Sequence, residues 1–134
     1  MTYDVQAIEI TGAFDRVFEY IADPRRLPEW THAFKAADAG QATLATPGGT
    51  VDIGLAVRAS RVDGTIDWTL AFPDGSEARA YSRLVRDGQR CIYTFVLLPP
   101  PVPLEQVEGA LADQSRILRE ELVALRARLE ASGR

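Results

Sequence analysis

The 134 residues, 46% hydrophobic and 25% charged, suffice for one globular domain with its own core, and two domains would be cramped. A net charge of −4 excludes a phosphate-tracking nucleic-acid surface, which needs clustered lysine and arginine. With one cysteine, Cys91, and one histidine, His32, no internal disulfide, Cys-rich zinc site or multi-imidazole metal centre can be assembled, and no metal or cofactor is expected.

Residues 3–10 read as the first strand, with a break in alternation at Ala7-Ile8 that suggests a bulge. The start MTYDVQAIEI lacks the basic and continuously apolar regions of a secretory signal. No 18-residue apolar run occurs, so a cytoplasmic protein with no integral membrane segment is expected. Phe14, Val17, Phe18 and Ile21 then fall on one face of a helix. Asp23-Pro24 stops that helix and opens another turn, with Asp23 as N-cap and Pro24 where its missing N–H is harmless. Leu27 and Trp30 give this second short helix its apolar side.

Residues 34–46 read as an edge strand that ends at Pro47-Gly48-Gly49. The glycine pair suits a hairpin loop better than a phosphate cradle, since no helix carrying a lysine follows. Asp63-Gly64 and Asp87-Gly88 are dipeptides favoured in two-residue hairpins. As such turns they set Ala59 opposite Trp68, Val57 opposite Leu70 and Leu55 opposite Phe72, then Leu84 opposite Cys91, Ser82 opposite Tyr93 and Ala80 opposite Phe95. A loop over residues 73–77 joins the hairpins so that Trp68 neighbours Ser82, Leu70 neighbours Ala80 and Phe72 neighbours Ala78. One face of four strands is then free of formal charge. The other carries Asp52, Arg58 and Asp67, the last across from Arg83.

Ile92, Val96 and Leu98 on that outer face suit a dimer surface or a strand covered by the chain's own N-terminus, so a monomer or a homodimer is compatible. The stiff proline-rich residues 99–103 lead into a single amphipathic helix over residues 103–130, marked by Leu104, Val107, Leu111, Ser115, Leu118, Leu122, Leu125 and Leu129. At 1.5 Å per residue it is about 42 Å long, enough to cross a small sheet. Gly109 inside it costs about 1 kcal/mol relative to alanine and invites a reason, close packing of the short helices ahead of room for a ligand. Arg116, Arg119, Arg126 and Arg128, interspersed with Glu120, Glu121 and Glu130, read as a solvated face. Fourteen of the fifteen basic residues are arginine, a bias expected of a GC-rich bacterial genome.

The segment FDRVFEYIADP from Phe14, the following LPEW that ends at Trp30, the hairpins and the closing helix together resemble the helix-grip superfamily. That group includes START lipid-transfer domains and polyketide cyclase/dehydrase-like proteins and is often called SRPBCC. The resemblance runs essentially end to end. It implies an α+β fold in which a curved antiparallel sheet of about six strands wraps a long C-terminal helix, with two short helices after the first strand. It also implies a cavity between sheet and helices, lined on the register above by Val57, Trp68, Leu70, Phe72, Ser82, Tyr93 and Phe95, with Trp30 and His32 near the entrance. Ala59, Ala78, Ala80 and Ser82 remove volume from the middle of this face. Interleaved packing and a ligand-sized void both account for that pattern.

The function expected is binding or transport of a small hydrophobic molecule such as a lipid or polyketide. An enzyme of the cyclase/dehydratase type is the alternative, using Tyr93, Ser82 and His32 for placement and proton transfer, although no inward arginine supports it. A protein-interaction module is the second alternative. Cys91, on a strand among apolar neighbours, lacks the cationic setting of a nucleophile.

Overall fold

The structure, a computed structural model, describes residues 2–132. Strand β1 (Asp4–Thr11) is followed by helix α1 (Phe14–Ala22), a 3₁₀ turn (Pro24–Arg26) and a one-turn helix α2 (Leu27–Trp30). Six strands follow: β2 (Phe34–Ala37), β3 (Gln41–Thr46), β4 (Gly49–Ser60), β5 (Thr65–Ala71), β6 (Glu77–Asp87) and β7 (Arg90–Leu97). Helices α3 (Val102–Glu108) and α4 (Leu111–Ser132) close the chain. All strands join one antiparallel sheet in the order β1-β7-β6-β5-β4-β3-β2, so the first strand returns to flank the last. The count rises from about six to seven because residues 34–46 fold back on themselves at Gly40, as β2 and β3.

Side chains alternate across the sheet as the sequence requires. Ile66, Trp68 and Leu70 on β5, Ala78, Ser82 and Leu84 on β6, and Cys91, Tyr93 and Phe95 on β7 all point into the core, while Arg79, Tyr81 and Arg83 are exposed. Against this face α4 presents Leu118, Leu122, Leu125 and Leu129, and α1 contributes Val17, Phe18 and Ile21 at the closed end. Asp23 caps the 3₁₀ turn through its side chain, which accepts from the Arg25 N–H at 3.0 Å.

Each hairpin register differs by two residues from the one its turn dipeptide suggested. Ser60 pairs with Thr65, Val57 with Trp68 and Leu55 with Leu70, because the β4–β5 connection is a four-residue loop. Gly64 is fixed there by its φ of 76° and by contact: its carbonyl accepts from Leu84 N–H at 2.7 Å, and a Cβ would stand 2.3 Å from the Leu84 oxygen. In the next hairpin Asp87 is itself the last paired residue, opposite Arg90, so the turn is Gly88-Gln89. Positive φ falls only on Gly88, as in a type II′ rather than a type I′ turn. Between the hairpins Trp68 lies beside Ala80 and Leu70 beside Ala78. A two-residue shift leaves every side chain on its face. It does replace the expected Asp67–Arg83 partnership: Asp67 is opposite Arg58, and the Arg83 Nε donates to the Asp63 carbonyl at 3.2 Å.

Strand β1 pairs with β7 without interruption, so no bulge lies at Ala7-Ile8. The break in hydrophobicity arises because Gln6 faces inward, where its Nε2 donates to the Ser115 carbonyl of α4 at 2.7 Å. Helix α4 also supplies Glu130 Oε2 as acceptor for the Thr11 N–H at 2.9 Å. With the Arg119 guanidinium donating to the Ala7 carbonyl at 3.4 Å, α4 thus occupies two backbone groups of the β1 edge. On the convex side, Ile92 and Val96 of β7 are half-buried between their cross-strand neighbours Glu9, Val85, Val5 and Tyr81.

The C-terminal helix is broken where one rod was expected. Gly109 ends α3 with φ 87°, its N–H bonded to the Glu105 carbonyl at 2.7 Å, and α4 starts at Leu111. A Cβ on Gly109 would meet the Asp113 side chain at 2.8 Å. The glycine thus serves as a helix terminator.

Candidate functional site

A cavity of about 110 Å³ lies between the concave side of β5, β6 and β7 and the helices α2, α3 and α4. Its floor comes from Trp68, Leu70, Ala78, Ala80 and Phe95. Here the two-residue register sets alanines beside the two large residues of β5, so volume is missing where α4 crosses. Leu104, Gln114, Ile117 and Leu118 form the helical roof, and Leu27, Trp30, Thr31 and Phe34 the side wall. The exposed Leu98 and Pro99 mark the mouth. A dry apolar cavity of roughly 150 Å³ holds benzene, so this one suits an aromatic ring or a short alkyl chain.

Of the side chains expected from the sequence, Trp30, Trp68, Leu70 and Phe95 line this cavity together. Val57 is half-buried beside Trp68 and is not in the wall. Phe72 belongs to a second recess, of about 380 Å³, with Val51, Pro73, Pro103 and Val107 around it. Tyr93 and Ser82 lie in the packed core outside the lining. The Tyr93 hydroxyl donates to Ser82 Oγ at 2.9 Å, and Ser82 Oγ donates to the Ile66 carbonyl at 2.5 Å. Complete burial holds the Tyr93 phenol well above its ordinary pKa, against the opposing effect of its bond to Ser82. His32 reaches the site only through its backbone, whose N–H donates to Glu121 Oε2 at 2.8 Å; its imidazole is 48% exposed and stands 3.6 Å from Glu120.

Two glutamates that the sequence reading assigned to no site stand in the cavity wall: Glu108, the last residue of α3, and Glu121 of α4. Burial pushes the Glu108 carboxyl up to about 7. Glu121 is pushed up to about 8, first by burial and then by the Glu108 charge, with the His32 N–H opposing. Glu121 is therefore not part of the solvated face. Its signal was its spacing: it lies at i+3 from Leu118 and i−4 from Leu125, on the apolar stripe itself. Trp30 and Trp68 add two further polar features, since the indole Nε1 of each is buried without a hydrogen-bond partner.

Other ionisable clusters serve structure. Tyr20 donates to Glu29 Oε1 at 2.6 Å, Arg26 donates to Glu29 Oε2 at 3.0 Å, and Arg128 lies 3.6 Å from Glu29, joining α1, α2 and α4. Burial and the Glu29 bond push the Tyr20 phenol up to about 12. Burial likewise raises the Cys91 thiol, which contacts the Gly12 carbonyl at 3.7 Å. Among the described residues, no three His, Cys, Asp or Glu side chains are grouped as a metal ion requires, and no helix is long and apolar enough to cross a membrane.

No family profile and no curated protein matches the sequence. Solved structures do match. A START superfamily protein from Mycobacterium smegmatis is 16% identical with a TM-score of 0.70, over 98% of this chain and 99% of that one. The Aha1 dimer from Colwellia psychrerythraea is 17% identical with a TM-score of 0.67, over 97% of each chain. The di-domain ARO/CYC protein BexL from the BE-7585A biosynthetic pathway is 15% identical with a TM-score of 0.70, over 97% of this chain and 47% of that one. At such identities the likeness concerns the backbone. The curled seven-stranded antiparallel sheet closed by a long C-terminal helix is the START-like helix-grip fold of the SRPBCC group.

Proposed function

We propose that this chain binds a small hydrophobic molecule, with residues 1–134 acting as one helix-grip domain. The observation that carries the reading is the missing volume above Ala78 and Ala80. Where α4 crosses β5 and β6, an apolar cavity of about 110 Å³ stands in place of packed side chains. Empty space in a core forfeits dispersion contacts and lowers stability, so its retention is explained by an occupant. Trp30, Trp68, Leu70 and Phe95 supply the apolar contact, and a longer ligand extends past Leu98 and Pro99 to solvent. The likeness to a START superfamily protein and to an ARO/CYC protein is consistent with this use of the fold.

The enzymatic reading has less support. It needs Tyr93, Ser82 and His32 on a substrate, whereas the two hydroxyls are bonded in the packed core and the imidazole faces outward. Thermal melts with a panel of single-ring aromatics, short-chain alcohols and ketones test the proposal. Ligands that fit raise the melting temperature and change the fluorescence of Trp30 and Trp68, and a panel without effect on either overturns it.

A further inference from the structure

Two carboxyl groups share one apolar cavity, and no cation is set against either. Glu108 makes no hydrogen bond or ion pair among the described residues, and Glu121 has a single one, from the His32 N–H. The charged groups around them do not compensate. Glu120 adds negative charge, the His32 imidazole leans toward Glu120, and Arg79, the one basic residue in the lining, is exposed and ion-paired to Glu77 at 3.1 Å. Trp30 and Trp68, in the same lining, each carry a buried indole N–H that lacks an acceptor, and as donors of no net charge these balance neither acid. Both residues are half-buried, charges drawn out of water are normally paired, and two acids facing one void without a cation describe a place that a ligand cation completes.

Building on the hydrophobic-ligand reading, we infer that the molecule bound here is an apolar amine: a ring or alkyl body on the Trp68–Phe95 floor and a protonated nitrogen between Glu108 and Glu121. The nitrogen restores ionisation to both acids, whose carboxyls burial otherwise pushes up to about 7 and about 8. The aromatic residues of the wall, Trp30, Phe34, Trp68 and Phe95, are compatible with a neighbouring cation. A carbonyl ligand, by contrast, can accept from an indole N–H but sets no charge against either acid.

The two chemistries separate by pH. An aliphatic amine keeps its proton to about pH 10, so its affinity rises as the two acids ionise, while that of a ketone falls. Decylamine, decanol, 2-decanone and decanoate share one body, and calorimetric titration of each into the protein at pH 6 and pH 8.5 decides the matter. At pH 8.5 decylamine binds at least tenfold tighter than decanol, and its affinity rises at least threefold from pH 6. The advantage over decanol falls to threefold or less in Glu121→Gln and in Glu108→Gln but persists in Glu105→Gln, an exposed control with the same charge change. Because the pH profile is read on the unaltered chain, it stands whether or not a variant folds. If decanol, 2-decanone or decanoate binds as tightly as decylamine, the amine assignment fails and the cavity reading survives. If none of the four binds, both fail.

Discussion

The backbone N–H of His32 and the Glu121 carboxylate meet at 2.8 Å, which ties the segment before β2 to the middle of α4 beside the cavity. This bond is the one favourable contact of a carboxyl that burial and the nearby Glu108 otherwise hold toward its neutral form. The pair therefore links ligand site and stability through protons.

Stability without ligand is expected to fall as pH rises from about 5 to 8. Both glutamates have folded pKa values, about 7 and about 8, above the ordinary 4.5. Over that interval the unfolded chain is ionised while the folded chain retains protons, which favours unfolding. Glu29 and Asp4 act in the opposite sense. Their carboxyls are lowered chiefly by the hydrogen bonds from Tyr20 and Ser115, so the stability they give is lost as pH falls below about 4.5. Chemical denaturation across pH 3–9 should show a maximum near pH 5, and Glu121→Gln should flatten the alkaline slope.

Gly109→Ala should lower the melting temperature by roughly 4–8 °C, the equivalent of about 1–2 kcal/mol, since alanine resists the positive φ that ends α3. Its Cβ would also press on Asp113. Differential scanning calorimetry of the variant reads this directly. A neutral result would mean that the break between α3 and α4 is not held by the glycine.

Tyr93→Phe should cost about 0.5–1.5 kcal/mol by denaturant titration and leave ligand affinity unchanged. The lost hydroxyl donates to Ser82, which keeps its own bond to the Ile66 carbonyl. A large fall in affinity with little change in stability would instead place this phenol on the ligand.

The sheet face was legible because period-two alternation survives any even slip. Both hairpins pair two residues away from the register that a two-residue aspartyl-glycine turn predicts, yet Trp68, Leu70 and Phe95 point to the core in either register. The slip mattered at the site: it moved Ala80 beside Trp68 and left Ser82 and Tyr93 in packed layers. The break at Gly109 was hidden because the leucine spacing continues across it from Leu104 to Leu111. Residue type alone does not single out Glu108 and Glu121, because charged residues on a helix are ordinarily solvated. Only their placement on the Leu104 and Leu118 stripes marked them, and only packing against α2, β5 and β6 turns that stripe into a cavity wall.

The most direct measurement of the central claim compares the unaltered chain with Ala80→Leu, whose added side chain occupies the void above β6. Isothermal titration of a series of apolar amines and alcohols should give one site per chain with micromolar affinity in the former. In the latter, binding should be at least tenfold weaker and the melting temperature should not fall. Equal affinity in the two proteins, or none in either, would contradict the account.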